Sequence, residues 1–155
     1  MTKLHISSTP HIHQKGSSTR NIMLDVTIAL IPAAVAGIII FGISALWTIL
    51  TCVITAVLAE YIFNLCARKK QTVGDLSACV TGLLLAMSLP VTAPYWAPVL
   101  GSSFAIVVVK QFYGGLGKNF MNPALAGRML LATFPMLMTT WSAPLDRLPL
   151  LNVDA

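Results

Sequence analysis

Between Ser44 and Leu65 the chain runs through an almost unbroken apolar stretch whose one charged side chain is Glu60. A helix of that length crosses a hydrocarbon core of roughly 30 Å. Inside such a core the backbone must satisfy its own hydrogen bonds, which restricts spanning segments to helices and closed barrels. Arg68-Lys69-Lys70 follows the run as a stop signal. Charged residues make up only 10% of the 155-residue chain, whereas a soluble domain carries about 25%. Too few remain to cover a water-facing surface, so the expected fold class is an all-α integral membrane protein.

Four further apolar segments flank this one. The first runs from about Leu24 to Phe41, with Asp25 at its start, Pro32 in its middle and Gly42 as its break. The third runs from about Leu76 to Leu89, with Asp75 as expected N-cap and Pro90 as terminator. The fourth covers about Pro98 to Phe112. The fifth covers about Pro123 to Trp141, capped by Asn122, with Pro135 expected to kink it. Segment three spans only about 21 Å and segment four is similarly short. Short segments suit partly re-entrant helices, whose loose backbone must be covered by protein or line a wet cavity. These two segments are therefore the expected seat of function; simple tilt in the bilayer is the plainer explanation of their length. The domain reading is a polar cytoplasmic arm over 1–22, a five-segment membrane domain over 23–142 and an outer-side tail over 143–155.

Charge placement sets the orientation. With the N-terminus inside and five crossings, nine of the ten Lys and Arg residues fall on or near the cytoplasmic face, and Arg147 falls outside. Trp47, Tyr95, Trp96 and Trp141 then all lie at outer ends, as an aromatic belt does. The net charge of +5 is thus read as a topology signal and not as a nucleic-acid footprint. Cys52, Cys66 and Cys79 form no C-x-x-C pair and read as small packing residues. His5, His11 and His13 lie in the polar arm, where a solvated tail explains them better than a metal site.

Two places hold residues able to carry chemistry. Glu60 lies about 12 Å into segment two, counted from Arg68. A carboxylate at that depth faces the bundle interior or a wet cavity, as part of a proton or cation pathway or as one half of an ion pair. Ala56 and Cys52 share its helix face and are small, which leaves a narrow polar notch. The second place is the glycine-rich run from Lys110 to Arg128. It is no P-loop, because Asn119 follows Gly117-Lys118, and no G-x-G-x-x-G, because Phe120 stands at the third glycine. Its glycines serve either close approach to a ligand or a tight turn. Arg128, about 8 Å inside segment five, serves either as an interfacial anchor or as a ligand contact. No Ser-His-Asp set, haem motif or paired carboxylates stand in the chain, so no catalytic residue is assigned and hydrolysis by the chain alone is excluded.

Four stretches resemble a known family: Ser8-Thr9-Pro10-His11-Ile12, residues 75–86, the Gly-Gly-Leu-Gly-Lys-Asn-Phe-Met-Asn-Pro-Ala-Leu-Ala-Gly-Arg run, and Met138-Thr139-Thr140-Trp141. The family contains the D subunit of Rnf-type ion-translocating ferredoxin:NAD oxidoreductase complexes and the B subunit of the sodium-translocating NADH:quinone reductase. It has Asp-Gly-Ser-Ala where this chain has Asp75-Leu76-Ser77-Ala78. The resemblance implies a prokaryotic inner-membrane subunit of a flavin-containing electron-transport complex that drives sodium or proton translocation. Its partners would be other membrane, flavin and iron–sulfur subunits and the lipid bilayer. It implies about ten helices in two related five-helix halves, an inverted-repeat arrangement similar to urea and ammonium channels, of which this chain matches the N-terminal half. The family carries FMN on a Thr of a Ser/Thr-Gly-Ala-Thr motif. This chain reaches Ala155 without that motif, so no covalent FMN threonine is assigned. Lys110, Asn119, Asn122 and Arg128 are expected noncovalent flavin contacts, and Glu60 the expected ion-pathway residue. A flavin-free channel or transporter half and a structural scaffold subunit are the rival readings. The topology is open to cysteine labelling in intact cells: a cysteine at Asp146 is expected to react and one at Lys69 to be protected. The opposite pattern refutes it.

Overall fold

In the computed structural model the described residues are 18–138, and all their regular structure is helical. The residues before 18, with their three histidines, and the tail from 139 onward, with Trp141 and the start of the family motif at Met138-Thr139, lie outside or at the edge of that range. Helix α1 covers Thr19–Phe41 and α2 covers Ile43–Cys66. Both are long and apolar enough to cross a membrane. Gly42 alone separates them, at φ 73, a left-handed conformation that costs glycine little. Helix α3 covers Ser77–Ser88, α4 covers Trp96–Phe104, α5 covers Pro123–Ala132 and α6 covers Pro135–Met138. A short 3₁₀ turn over Val73–Asp75 precedes α3. From α4 the chain continues without a break into a π-helical stretch, Ala105–Gln111.

Several boundaries differ from the sequence expectation. Helix α1 begins at Thr19, so Asp25 sits in the second turn and caps nothing. Asp75 is not the N-cap of α3; Leu76 is, at φ 63 and ψ 3. Asp75 still serves the helix start from one position earlier, its Oδ1 accepting the Ser77 amide at 2.8 Å. A left-handed leucine is strained by roughly 1–2 kcal/mol. Segment five is broken and not kinked. Its helix stops at Ala132, because Pro135 lacks an N–H and its ring collides with the carbonyl four residues back. Its start is as expected, with Asn122 Oδ1 accepting from Ala124 N at 3.0 Å and Pro123 in the first turn.

Close approaches fix how the helices pack. A Cβ on Gly82 of α3 would lie 2.8 Å from the Cys52 carbonyl oxygen and 2.8 Å from Val53 Cα on α2. Gly127 of α5 meets the Gly101 carbonyl of α4 in the same way. Small residues at such crossings let backbones touch where lipid supplies no hydrophobic drive between helices. The contacts also set direction. Residue 82 lies beside 52, and residue 127 beside 101, while the Glu60 end of α2 meets the start of α3 and the end of the π stretch. The described segments therefore alternate in direction through the bundle. The buried stripe of α2 is Ala45, Thr48, Cys52, Ala56, Glu60 and Asn64, recurring every three or four residues along one face. Its other sides are exposed and apolar, with Ile54, Leu58 and Ile62 each about half exposed.

Substituting Gly82→Ala is expected to force α3 off α2, because the atoms it meets are backbone and cannot yield. The loss should be about 1–3 kcal/mol, read as a lower thermal midpoint of the detergent-extracted protein. Gly37→Ala in α1, where nothing lies within 4 Å, is the control and should not lower it.

Candidate functional site

At one end of the bundle, polar side chains from four elements meet in an apolar interior. Helix α2 contributes Glu60 and Asn64, the segment before α3 contributes Thr72 and Asp75, α3 contributes Ser77, and the π stretch contributes Lys110 and Gln111. Glu60, Asn64, Ser77, Lys110 and Gln111 are all buried, Glu60 to 0% exposure and Lys110 to 1%.

Glu60 is the hub. Its Oε1 accepts from Lys110 Nζ at 2.8 Å, from Gln111 Nε2 at 2.9 Å and from Thr72 Oγ1 at 2.6 Å. Thr72 in turn accepts from Asn64 Nδ2 at 3.0 Å. Lys110 also donates to Ser77 Oγ at 2.6 Å, and that hydroxyl donates onward to Asp75 Oδ1. Thus the ammonium touches one carboxylate directly and a second through a hydroxyl. Glu60 Oε2, also buried, has no partner.

The π-helical winding accounts for Lys110 and Gln111 reaching the same carboxylate. Here the Phe112 amide bonds the Val107 carbonyl and the Gly115 amide bonds the Lys110 carbonyl, both five residues back. This i→i+5 pattern widens the turn, and such turns recur at functional sites. Phe112, just past it, packs against Phe63 of α2 with the rings tilted and their centroids 5.7 Å apart. The glycine-rich loop that follows is a tight turn: Gly114, Gly115 and Gly117 have φ of 104, 95 and 84. Tyr113 and Phe120 close it, ring to ring at 4.7 Å.

Beside the network lies a cavity of ≈ 340 Å³. Lys110, Ser77, Thr81, Gly117, Asn119 and Asn122 are among the residues that line it. The fold thereby brings together three of the four flavin-contact candidates, Lys110, Asn119 and Asn122. Arg128 is exposed on α5 and does not line the cavity. Asn119 Oδ1 is buried without a partner, whereas Asn122 Oδ1 is occupied as the α5 cap. Sequence reasoning places Glu60 in a notch with Ala56 and Cys52, both of which are fully buried. It misses Gln111, Thr72, Asn64 and Ser77. The signal for Gln111 is its place next to Lys110 at the C-terminal end of segment four; the others are ordinary polar residues near helix ends.

Removing one partner of a buried ion pair strands the other, at about 3–5 kcal/mol. Glu60→Gln and Lys110→Met are each expected to lower stability by that order. The double variant is expected to cost clearly less than the sum, read by thermal denaturation in a double-mutant cycle. Simple additivity would show that the two side chains do not interact.

The sequence model of the NQR2, RnfD, RnfE family matches residues 5–153. Over 139 residues the chain is 53% identical to the D subunit of the Na(+)-translocating ferredoxin:NAD(+) oxidoreductase complex of Acetobacterium woodii, covering 88% of this chain and 43% of that protein. It is 47% identical over 148 residues to the D subunit of the ion-translocating oxidoreductase complex of Yersinia enterocolitica, covering 92% of this chain and 41% of that one. The protein of the same name from Shewanella denitrificans is 44% identical over 154 residues, covering 97% and 43%. The chain therefore spans less than half the length of these relatives.

Proposed function

Because this chain belongs to the NQR2, RnfD, RnfE family, we propose that it acts as part of a membrane subunit in a flavin-containing electron-transport complex that couples redox transfer to sodium or proton translocation. Its partners are then the other membrane, flavin and iron–sulfur subunits of that complex, in a prokaryotic inner membrane, with the N-terminus cytoplasmic. The described helices make up the larger part of one five-segment half of an inverted repeat. A second half accounts for the extra length of the relatives. The Lys/Arg bias puts the Glu60 end of the bundle on the cytoplasmic side.

The observation that carries this reading is Glu60 itself. Acidic and basic side chains within membrane segments are costly and are kept where ions or protons pass. Here two carboxylates, an ammonium, two hydroxyls and an amide form a continuous polar thread, from Asn64 through Thr72, Glu60, Lys110 and Ser77 to Asp75, in an interior otherwise lined mostly by small and aliphatic side chains. Glu60 is the group that holds the moving charge, and Lys110 sets its electrostatics.

Flavin supplies electron transfer when bound, and the cavity beside Lys110 meets part of its requirements. Asn119, with its unpartnered amide oxygen, and the free amide end of Asn122 suit the polar edge of a flavin ring. They do not suit its phosphate, since the Lys110 charge is already met by Glu60. Noncovalent contact through Lys110, Asn119 and Asn122 is therefore proposed for the ring alone, and Arg128 takes the interfacial-anchor role. That shortage of free positive charge also favours the second reading, a flavin-free channel half. Flavin absorbance in the purified complex separates the two.

The test uses the neutral double variant Glu60→Gln, Lys110→Met in the assembled complex reconstituted in liposomes. Electron transfer is expected to persist or slow, with ion uptake per electron falling at least tenfold and flavin content unchanged. Normal uptake per electron would overturn the ion-path role of Glu60.

A further inference from the structure

Lys110 holds a position that a small cation would also suit. Its Nζ sits between two oxygens, Glu60 Oε1 at 2.8 Å and Ser77 Oγ at 2.6 Å, at the centre of a network containing two carboxylates and one ammonium. The formal charge of that network is thus one negative too many. Glu60 Oε2 lies buried with no partner, ready to accept one more positive group. Removing the ammonium would leave the oxygen donors that hard cations take, with carboxylate charge behind them.

The same lysine has somewhere to go. It lines the ≈ 340 Å³ cavity, and so does Asn119, whose Oδ1 is a second buried acceptor without a donor. The Lys side chain is a flexible four-carbon stem with a compact charge, suited to moving its head group by several ångströms. The Glu60 carboxylate holds the ammonium, and Asn119 in the wall of the same cavity offers it a second acceptor.

We propose that Lys110 is a tethered stand-in for a small monovalent cation: its ammonium occupies a cation seat formed by Glu60 and Ser77, and yields that seat by swinging into the adjacent cavity toward Asn119. In this arrangement the seat is never left without positive charge. The translocated ion and the lysine exchange places on Glu60, so an ion cannot leave before the lysine returns. The inference rests on the reading of Glu60 as an ion-path residue and names how that residue is kept neutralised between ions.

The experiment is a thermal-stability series on the assembled complex carrying Lys110→Gln, in chloride salts of sodium, lithium, potassium and choline at constant ionic strength. Sodium or lithium should restore a midpoint several degrees above that in choline, because the ion fills the seat the ammonium left. The wild type and Lys110→Arg, which keep a tethered cation, should respond at least fivefold less. Glu60→Gln, Lys110→Gln should lose the response. A midpoint for Lys110→Gln that is the same in all four salts overturns the proposal, as does a rescue produced only by acidification. If Lys110→Gln does not accumulate, the wild type decides. Amine modification at Lys110, read by mass spectrometry, should rise on replacing choline with sodium, and an unchanged rate overturns the proposal. These readouts do not involve transport, so a flat salt response with lost ion uptake in the neutral double variant would sink the exchange and leave the ion-path reading standing.

Discussion

The structure turns on one buried ion pair. Glu60 and Lys110 come from segments fifty residues apart in sequence and meet at 2.8 Å with almost no exposure. Two charges taken out of water cost several kcal/mol each, and attraction repays this only when the geometry is good and the remaining polar atoms are satisfied. The local backbone is organised to that end. The small stripe of α2 lets α3 approach, the αL turn at Leu76 aims Ser77 inward, and the π stretch presents Lys110 and Gln111 together. Among the described residues, the buried oxygens left without a partner include Glu60 Oε2 in this network and Asn119 Oδ1 in the wall of the cavity that Lys110 lines. A network optimised only for stability would have closed both.

Much of this is legible in the sequence, for specific reasons. Hydropathy and Gly42 mark α1 and α2, since apolar length and a helix-breaking glycine report directly on spanning helices. Asn122-Pro123 gives the start of α5 correctly because capping is local chemistry. Glu60 stands out because a charge in an apolar run has few physical explanations. The misses are of a different kind. The π winding of 105–111 has no residue signature, because the run AIVVVKQ reads equally well as an ordinary helix. Pro135 reads as a kink in the sequence and is a break in the structure; proline permits either, so the residue alone does not tell them apart. Arg128 looks like a companion of Lys110 in a dense polar run, yet α5 buries Ala124, Ala126, Gly127 and Leu131 and leaves Arg128 exposed.

The tension between stability and function is visible at Leu76. A leucine held at φ 63 is strained, and it sits directly before the serine that receives Lys110. Strain of this sort is retained where the surroundings over-determine the backbone. Here Asp75 ties down the turn from one side and the α2–α3 contact at Gly82 from the other. The outcome is a rigid frame around a charge pair that has room on one side to move.

The central claim is that Glu60 carries or releases charge during turnover. Redox-induced infrared difference spectroscopy on the full complex reads this directly, with the Glu60 band identified by its absence in Glu60→Gln. The account predicts a carboxylate band that changes on reduction and shifts when sodium is exchanged for choline. Difference spectra that are the same for wild type and Glu60→Gln in the carboxylate region would contradict it.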